Sequence, residues 1–257
     1  MEIKNNKKTL ITGASSGLGW QFAKYLSELG YDLIVVARRK EKLEELKKYI
    51  KTNVEIIKLD LSKEESCYKL YEKVKNENIN ILINNAGFGN FGKFYNTKLD
   101  KELDMININI KAVHILTKLF LKDMIKKDSG YILNVASAAA FAPGPLMSTY
   151  YSTKSYVYRL SESINTELKH DKSKVKISVL CPGPVNTEFN DVANVEFSFK
   201  ALSSEYVARY TIDKLLKGKD VIVPGVLMKF NRFFSKLLSD KLLSNIVYIN
   251  QKRKEKK

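Results

Sequence analysis

The chain of 257 residues is 44% hydrophobic and 28% charged, which allows a sizeable buried core and argues against disorder. Its net charge of +16 is uneven: Lys229 to Lys257 holds nine Lys/Arg against two acids, while most other lysines share helical stretches with Glu, as in RRKEKLEELKKYI. No apolar run is long enough to span a membrane. The two distant cysteines, Cys67 and Cys181, suit neither a disulfide framework nor a thiolate metal site, and with the polar start MEIKNNKKTL they lead us to expect a reducing cytoplasm.

Strand and helix patterns then alternate from end to end. TLIT at 9–12 reads as a strand and GLGWQFAKYLSELG as a helix closed by Gly30. DLIVVA at 32–37 and VEIIKLD at 54–60 are strands, each followed by a Glu/Lys-rich helix. INILINN at 79–85 is a fourth strand, and a long helix covers roughly 100–127. GYILNVAS, VKISVLCPG and DVIVPG supply three more strands, separated by helices over STYYSTKSYVYRLSESINTELKH and SSEYVARYTIDKLLKG. Continuously apolar strands alternating with helices imply an α/β fold: a doubly wound, seven-stranded parallel sheet with helices on both faces. No linker divides it, so residues 1–225 read as a single domain, followed by a basic amphipathic extension at 226–257.

The first strand-to-helix loop, TGASSGLG at 12–19, carries Gly13, Ser15, Ser16, Gly17, Leu18 and Gly19. Glycines there turn the chain tightly, let backbone N–H groups approach a diphosphate and aim a helix N-terminus at it. The loop is therefore read as a dinucleotide site. An acidic residue closing the second strand would bind the ribose hydroxyls of NAD, but this strand ends Ala37-Arg38-Arg39. A guanidinium pairs with the 2′-phosphate that a carboxylate repels. The expected cofactor is NADP(H) in preference to NAD(H), with Arg38 first and Arg39 in support. Asp60 and Leu61, closing the third strand, are expected near the adenine.

Tyr-x-x-x-Lys occurs four times, at Tyr71/Lys75, Tyr150/Lys154, Tyr210/Lys214 and Tyr248/Lys252, so spacing alone selects none of them. TGASSGLG, NNAG at 84–87, Asn109 in the long helix, Ser137 after the fifth strand, Tyr150/Lys154 and PGPVNT at 182–187 stand in an order that resembles the short-chain dehydrogenase/reductase family. The likeness covers about residues 7–225 and implies a Rossmann-like fold. Within it, Ser137 lies thirteen residues before Tyr150, at a strand's carboxyl end where ligands bind. Ser235 has the same spacing to Tyr248 but sits in the helical-looking NRFFSKLL. Tyr150 is thus the catalytic candidate.

The chemistry suits these residue types. Hydride reduction of a carbonyl leaves an alkoxide that needs a proton donor. The charge of Lys154, one helical turn from Tyr150, joined by that of the oxidised nicotinamide, would favour tyrosinate and bring a pKa of about 10 toward the working range. The Ser137 hydroxyl would hold the substrate oxygen. By the resemblance, Lys154 also binds the nicotinamide ribose and Asn109 anchors a proton-relay water. Asn109 is preferred to Asn107 because Ala112 and Thr117 follow it at the family's spacing. Asn85, Ala86 and Gly87 would let the adenosine side lie against the backbone. Pro182, Gly183, Val185 and Thr187 would meet the nicotinamide carboxamide.

His114 and His170 sit in no motif and are read as structural or surface residues. Phe189, Val192, Val195, Phe197 and Phe199, with Phe141 opposite, would make an apolar lid, so an apolar carbonyl or alcohol is the expected small-molecule substrate. The tail from Phe230 to Val247 alternates apolar and basic residues at helical spacing. Packing on the domain or a partner subunit is preferred there to weak peripheral membrane contact. The resemblance implies a homodimer or homotetramer, and no aromatic-basic motif supports nucleic acid. The reading is an NADPH-dependent carbonyl reductase. The alternative is a regulatory protein that senses NADP(H) without turnover, for which the Asn109/Ser137/Tyr150/Lys154 set would be superfluous.

Overall fold

The computed structural model describes residues 7–189 and 201–253. The lid residues Val192, Val195, Phe197 and Phe199 fall outside that range. Seven parallel strands form the main sheet: β1 (Lys8–Thr12), β2 (Asp32–Ala37), β3 (Val54–Lys58), β4 (Ile79–Asn84), β5 (Tyr131–Val135), β6 (Lys176–Leu180) and β9 (Val221–Ile222). Their order is β3-β2-β1-β4-β5-β6-β9. The chain winds outward from β1 to β3, then crosses back to β4 beside β1. The carboxyl ends of β1 and β4 therefore flank the topological switch point, where open α/β sheets bind ligands. A short parallel pair, β7 (Val185–Asn186) and β8 (Leu202–Ser203), stands apart.

Successive strand residues point to opposite faces, and here both faces are apolar. Ile11, Val35, Ile83, Leu133 and Leu180 pack under α1 (Gly17–Glu28) and a later helix, α7 (Ser204–Leu216), against Phe22, Leu26, Ile212 and Leu215. Their neighbours Leu10, Ile34, Leu82, Ile132 and Ile177 pack under α3 (Glu64–Val74), α5 (Val113–Lys126) and α6 (Ser148–His170), against Leu70, Leu116, Phe120, Met124 and Leu168. Each such side chain contributes roughly 1.5–3 kcal/mol through burial. The helix α2 (Lys40–Lys47) adds Leu43 and Leu46 to the first layer. Helix ends follow local rules: Ser203 Oγ accepts from Tyr206 N at 3.2 Å to cap α7, and Gly218 closes that helix at φ +66°.

The long helix expected over roughly 100–127 is present, with one widened turn inside it. The segment runs as α4 (Leu99–Ile106), a π-helical turn at Asn107–Ala112 and then α5. Such widened turns concentrate at functional sites, and this one contains Asn109. The C-terminal extension forms α8 (Val226–Phe234) and α9 (Asp240–Lys252). It packs through Met228, Arg232, Leu243 and Gln251, while Val226, Leu227, Phe230, Phe233, Phe234 and Leu237 stay exposed. The packing expected of its apolar side chains is therefore met only in part.

Candidate active site

The glycine loop and the end of β4 are joined directly. Thr12 Oγ1 accepts from Asn85 N at 3.0 Å and Ala86 N at 3.1 Å, and Asn85 Nδ2 donates to the Thr12 and Gly13 carbonyls at 3.0 and 3.1 Å. Gly13 has φ +67°, and a Cβ there would lie 2.7 Å from Ala86 Cα. A side chain is thus excluded both by conformation and by space. The Ser16 side chain makes no cap to α1, which leaves the first-turn N–H groups of Gly17, Leu18 and Gly19 uncapped by it. A glycine cradle under an uncapped helix N-terminus fits the diphosphate of an NAD(P)(H) cofactor. Gly17 faces Thr187, whose Cγ2 would be 3.1 Å from an added Cβ, so the PGPVNT segment closes over the same loop.

At the end of β2 the two arginines differ. Arg38 is exposed, whereas Arg39 Nη2 donates to Ser15 Oγ at 3.2 Å, Ser16 Oγ at 3.1 Å and Glu188 Oε2 at 2.8 Å. The arginine ranked second in the sequence is the one folded onto the loop. Glu188 was not singled out, because a lone Glu after PGPVNT carries no local signal. The Arg39 hydrogen bond holds its carboxyl below the ordinary range. Asp60 spends its carboxylate on Ser62, whose N and Oγ donate at 3.1 and 2.9 Å, and Leu61 is a core residue.

Ser137, Tyr150 and Lys154 meet at the carboxyl ends of β5 and β6. Ser137 opens a short 3-10 turn, Ala138–Phe141, where its Oγ accepts from Ala139 N at 3.1 Å, and it lies beside the Tyr150 hydroxyl, whose pKa it lowers. Lys154 Nζ donates to Val135 O at 2.9 Å and lies 5.8 Å from the Tyr150 ring centroid. Both side chains are buried. Burial pushes the Tyr150 hydroxyl well above its usual value; Ser137 opposes this and neighbouring Tyr151 adds to it. Burial also pulls Lys154 down to about 8, with Cys181 partly opposing. Desolvation is the largest influence on Tyr150 in the protein by itself; the lowering expected from Lys154 together with an oxidised nicotinamide belongs to the cofactor-bound site.

Asn109 is fully buried. Its Oδ1 accepts from Phe88 N at 3.1 Å, and its Nδ2 donates to Phe88 O at 2.9 Å and Thr153 Oγ1 at 3.0 Å. Asn107 is only half-buried. The amide ties the strand-end segment after Gly87 to α6, one residue before Lys154. Gly87 is required beside it, since a Cβ there would sit 2.7 Å from Asn109 Oδ1 and 3.5 Å from Lys154 Nζ. Thr153, which makes this link, was not among the candidates; a threonine inside a polar helix looks like surface.

Around Tyr150 the walls are apolar. Met105, Ala139, Met147, Phe88, Phe91, Tyr151 and Phe189 form one cluster with it, the Phe189 ring 5.4 Å from the Tyr150 ring. Gln251 of α9 enters from the far end of the chain and donates to Tyr151 Oη at 2.7 Å. Only the tertiary fold brings it there. Pro182 O accepts from Ala138 N at 2.8 Å, Gly183 packs on Met228, and Val185 is buried. Among the described residues no group of His, Cys, Asp and Glu could hold a metal ion. His114 is a surface residue, its Nδ1 2.7 Å from Tyr156 Oη.

A family model described as short chain dehydrogenase matches residues 7–196. An uncharacterized oxidoreductase of Staphylococcus saprophyticus is 35% identical over 194 residues, covering 74% of this chain and 79% of its own. Among solved structures, a short-chain dehydrogenase from Sphingobium yanoikuyae in complex with NADPH is 26% identical with a TM-score of 0.81, over 90% of this chain and 93% of that one. A short-chain dehydrogenase/reductase from Burkholderia phymatum in complex with NAD, 22% identical, shares the fold at a TM-score of 0.79 over 90% of this chain and 94% of that one. With the doubly wound sheet, the glycine cradle and the family match covering most of its length, this chain belongs to the short-chain dehydrogenase/reductase family of oxidoreductases.

Proposed function

We propose that the protein is an NADPH-dependent reductase that interconverts a carbonyl and an alcohol on an apolar small molecule. The observation that carries this reading is the burial of Tyr150 and Lys154 together beside Ser137, with aromatic and aliphatic side chains packed around Tyr150. Two buried, titratable groups with displaced pKa values at a sheet's ligand-binding edge suit proton transfer better than structure.

The cofactor, when bound, supplies or accepts the hydride. The residues that would hold it are Gly13, Ser15, Ser16, Gly17, Leu18 and Gly19 at the diphosphate, Asp60 and Leu61 at the adenine, Asn85 to Gly87 along the adenosine, and Pro182, Gly183, Val185 and Thr187 at the carboxamide. Ser137 Oγ holds the substrate oxygen next to the Tyr150 hydroxyl. Tyr150 gives its proton to that oxygen as the alcohol forms, and takes it back in oxidation. Lys154, fixed by the Val135 carbonyl, acts on Tyr150 through its charge. Asn109, with its amide spent on Phe88 and Thr153, acts as a positioning residue. The preference for NADPH rests on Arg38 and Arg39, with no acid at the end of β2. The similarity to a structure holding NADPH supports it, and the NAD complex of the same fold makes it the point to test. A homo-oligomer and a cytoplasmic setting complete the proposal.

The test is NADPH oxidation by the purified protein against apolar ketones and aldehydes, with NADH and Tyr150→Phe in parallel. Turnover that prefers NADPH and disappears in the variant is expected. Turnover that survives Tyr150→Phe rejects the mechanism. Tight NADPH binding with no turnover across the panel would favour a sensing role instead.

A further inference from the structure

The helix α8 packs through Met228 and Arg232 and turns its other large apolar side chains outward. Its inward side holds a cation: Arg232 Nη2 donates to Tyr158 Oη at 3.0 Å, lies 3.7 Å from Glu162 Oε1 and stacks over the Phe141 and Tyr158 rings. Its outward side is Val226, Leu227, Phe230, Phe233 and Phe234, continued by Leu237, each at least 53% exposed. A helix that only served a soluble domain would turn the other way, because each exposed large apolar side chain forgoes its burial energy. The second helix repeats the pattern more mildly. Leu243 and Gln251 face the domain, while Leu242, Ile246 and Ile249 stay exposed at i, i+4 and i+7. Both helices are anchored on α6, one at Tyr158 and Glu162, the other at Tyr151.

Cations surround these apolar stripes. From Val226 to Arg253 the chain has Lys229, Arg232, Lys236, Lys241, Lys252 and Arg253, with Asp240 as the sole acid. A second copy of the chain would bring the same surplus to such a face and be repelled. Large apolar side chains interleaved with Lys and Arg match the boundary between acyl chains and anionic headgroups. No helix among the described residues is long and apolar enough to cross a membrane, so the contact would lie in its surface. We propose that α8 and α9 form a docking surface for an anionic lipid bilayer.

The test is co-sedimentation of the full chain with vesicles of phosphatidylcholine alone or mixed with phosphatidylglycerol, at low and high salt. Binding to the mixed vesicles alone, weakened by salt, is expected. Phe230→Ser with Phe233→Ser should lower it about tenfold or more, since both rings are exposed and their loss spares the fold. Lys236→Gln and Lys241→Gln should each lower it about fivefold. Unchanged NADPH binding checks that the variants remain folded, and vesicle binding is read without turnover, so it stands apart from the proposed reaction. No binding to mixed vesicles, or equal binding to neutral ones, overturns the proposal. So does an oligomer that the Phe variant dissociates while the wild type ignores vesicles, because the face would then belong to a second copy.

Discussion

Two stretches of this molecule break the rule that apolar residues go in and polar residues stay out, and they break it in opposite directions. At the N-terminal end of α6, Tyr150, Thr153 and Lys154 are buried: Tyr150 beside Ser137, Thr153 donating to the Tyr150 carbonyl and Lys154 to the Val135 carbonyl. In α8, large apolar side chains are exposed while Arg232 is turned inward. Burying polar groups costs free energy unless they are bonded, so the first stretch is tolerated by its bonds. Among the described residues no such compensation covers the second. The contrast teaches that a completed polar cluster points to chemistry inside the molecule, and an uncompensated apolar face to something outside it.

The sharpest way to break the comparison is Tyr150→Phe. Loss of the proposed proton donor should lower kcat/KM by about a thousandfold with little change in thermal stability. Steady-state kinetics beside a melting curve measure both, and a large drop in stability would make Tyr150 a structural group. Next comes Asn109→Ala, which leaves the Phe88 N–H and C=O without partners inside the protein. A destabilisation of about 2–4 kcal/mol in denaturant unfolding is expected.

The pH dependence of stability sharpens the picture of Lys154. Its folded value of about 8 lies below the ordinary 10.5, so between those limits the unfolded chain holds a proton that the folded one has released. Stability relative to Lys154→Met should therefore rise with pH above about 8, by up to about 3 kcal/mol. Unfolding curves between neutral pH and mildly basic pH test the sign; a falling difference would mean that the lysine stays charged in its pocket. The smallest effect belongs to the other stretch. Phe233→Ser should shift stability by about 0.5 kcal/mol or less, since the ring is 60% exposed. A loss like that of a core phenylalanine would show that this face is covered in solution.

Much of the site was legible because its signals are local. TGASSGLG, Ala112 and Thr117 after Asn109, and Ser137 before Tyr150 all depend on short spacings along one strand-turn-helix unit. The π turn at Asn107–Ala112 was not legible, since its residues keep an ordinary helical pattern and only its contact with Phe88 marks it. Glu188, Thr153 and Gln251 were missed for the same reason: their partners Arg39, Asn109 and Tyr151 lie 149, 44 and 100 residues away.

By itself the sequence determined the order of strands and helices and singled out TGASSGLG and Tyr150/Lys154 as candidates, because hydrophobic period and backbone chemistry act over a few residues. Tertiary structure alone decided which arginine folds onto the loop and that burial lifts Tyr150 and depresses Lys154. It also decided that α8 turns its phenylalanines outward. Desolvation and helix orientation depend on everything packed around a residue, and no window along the chain contains that information.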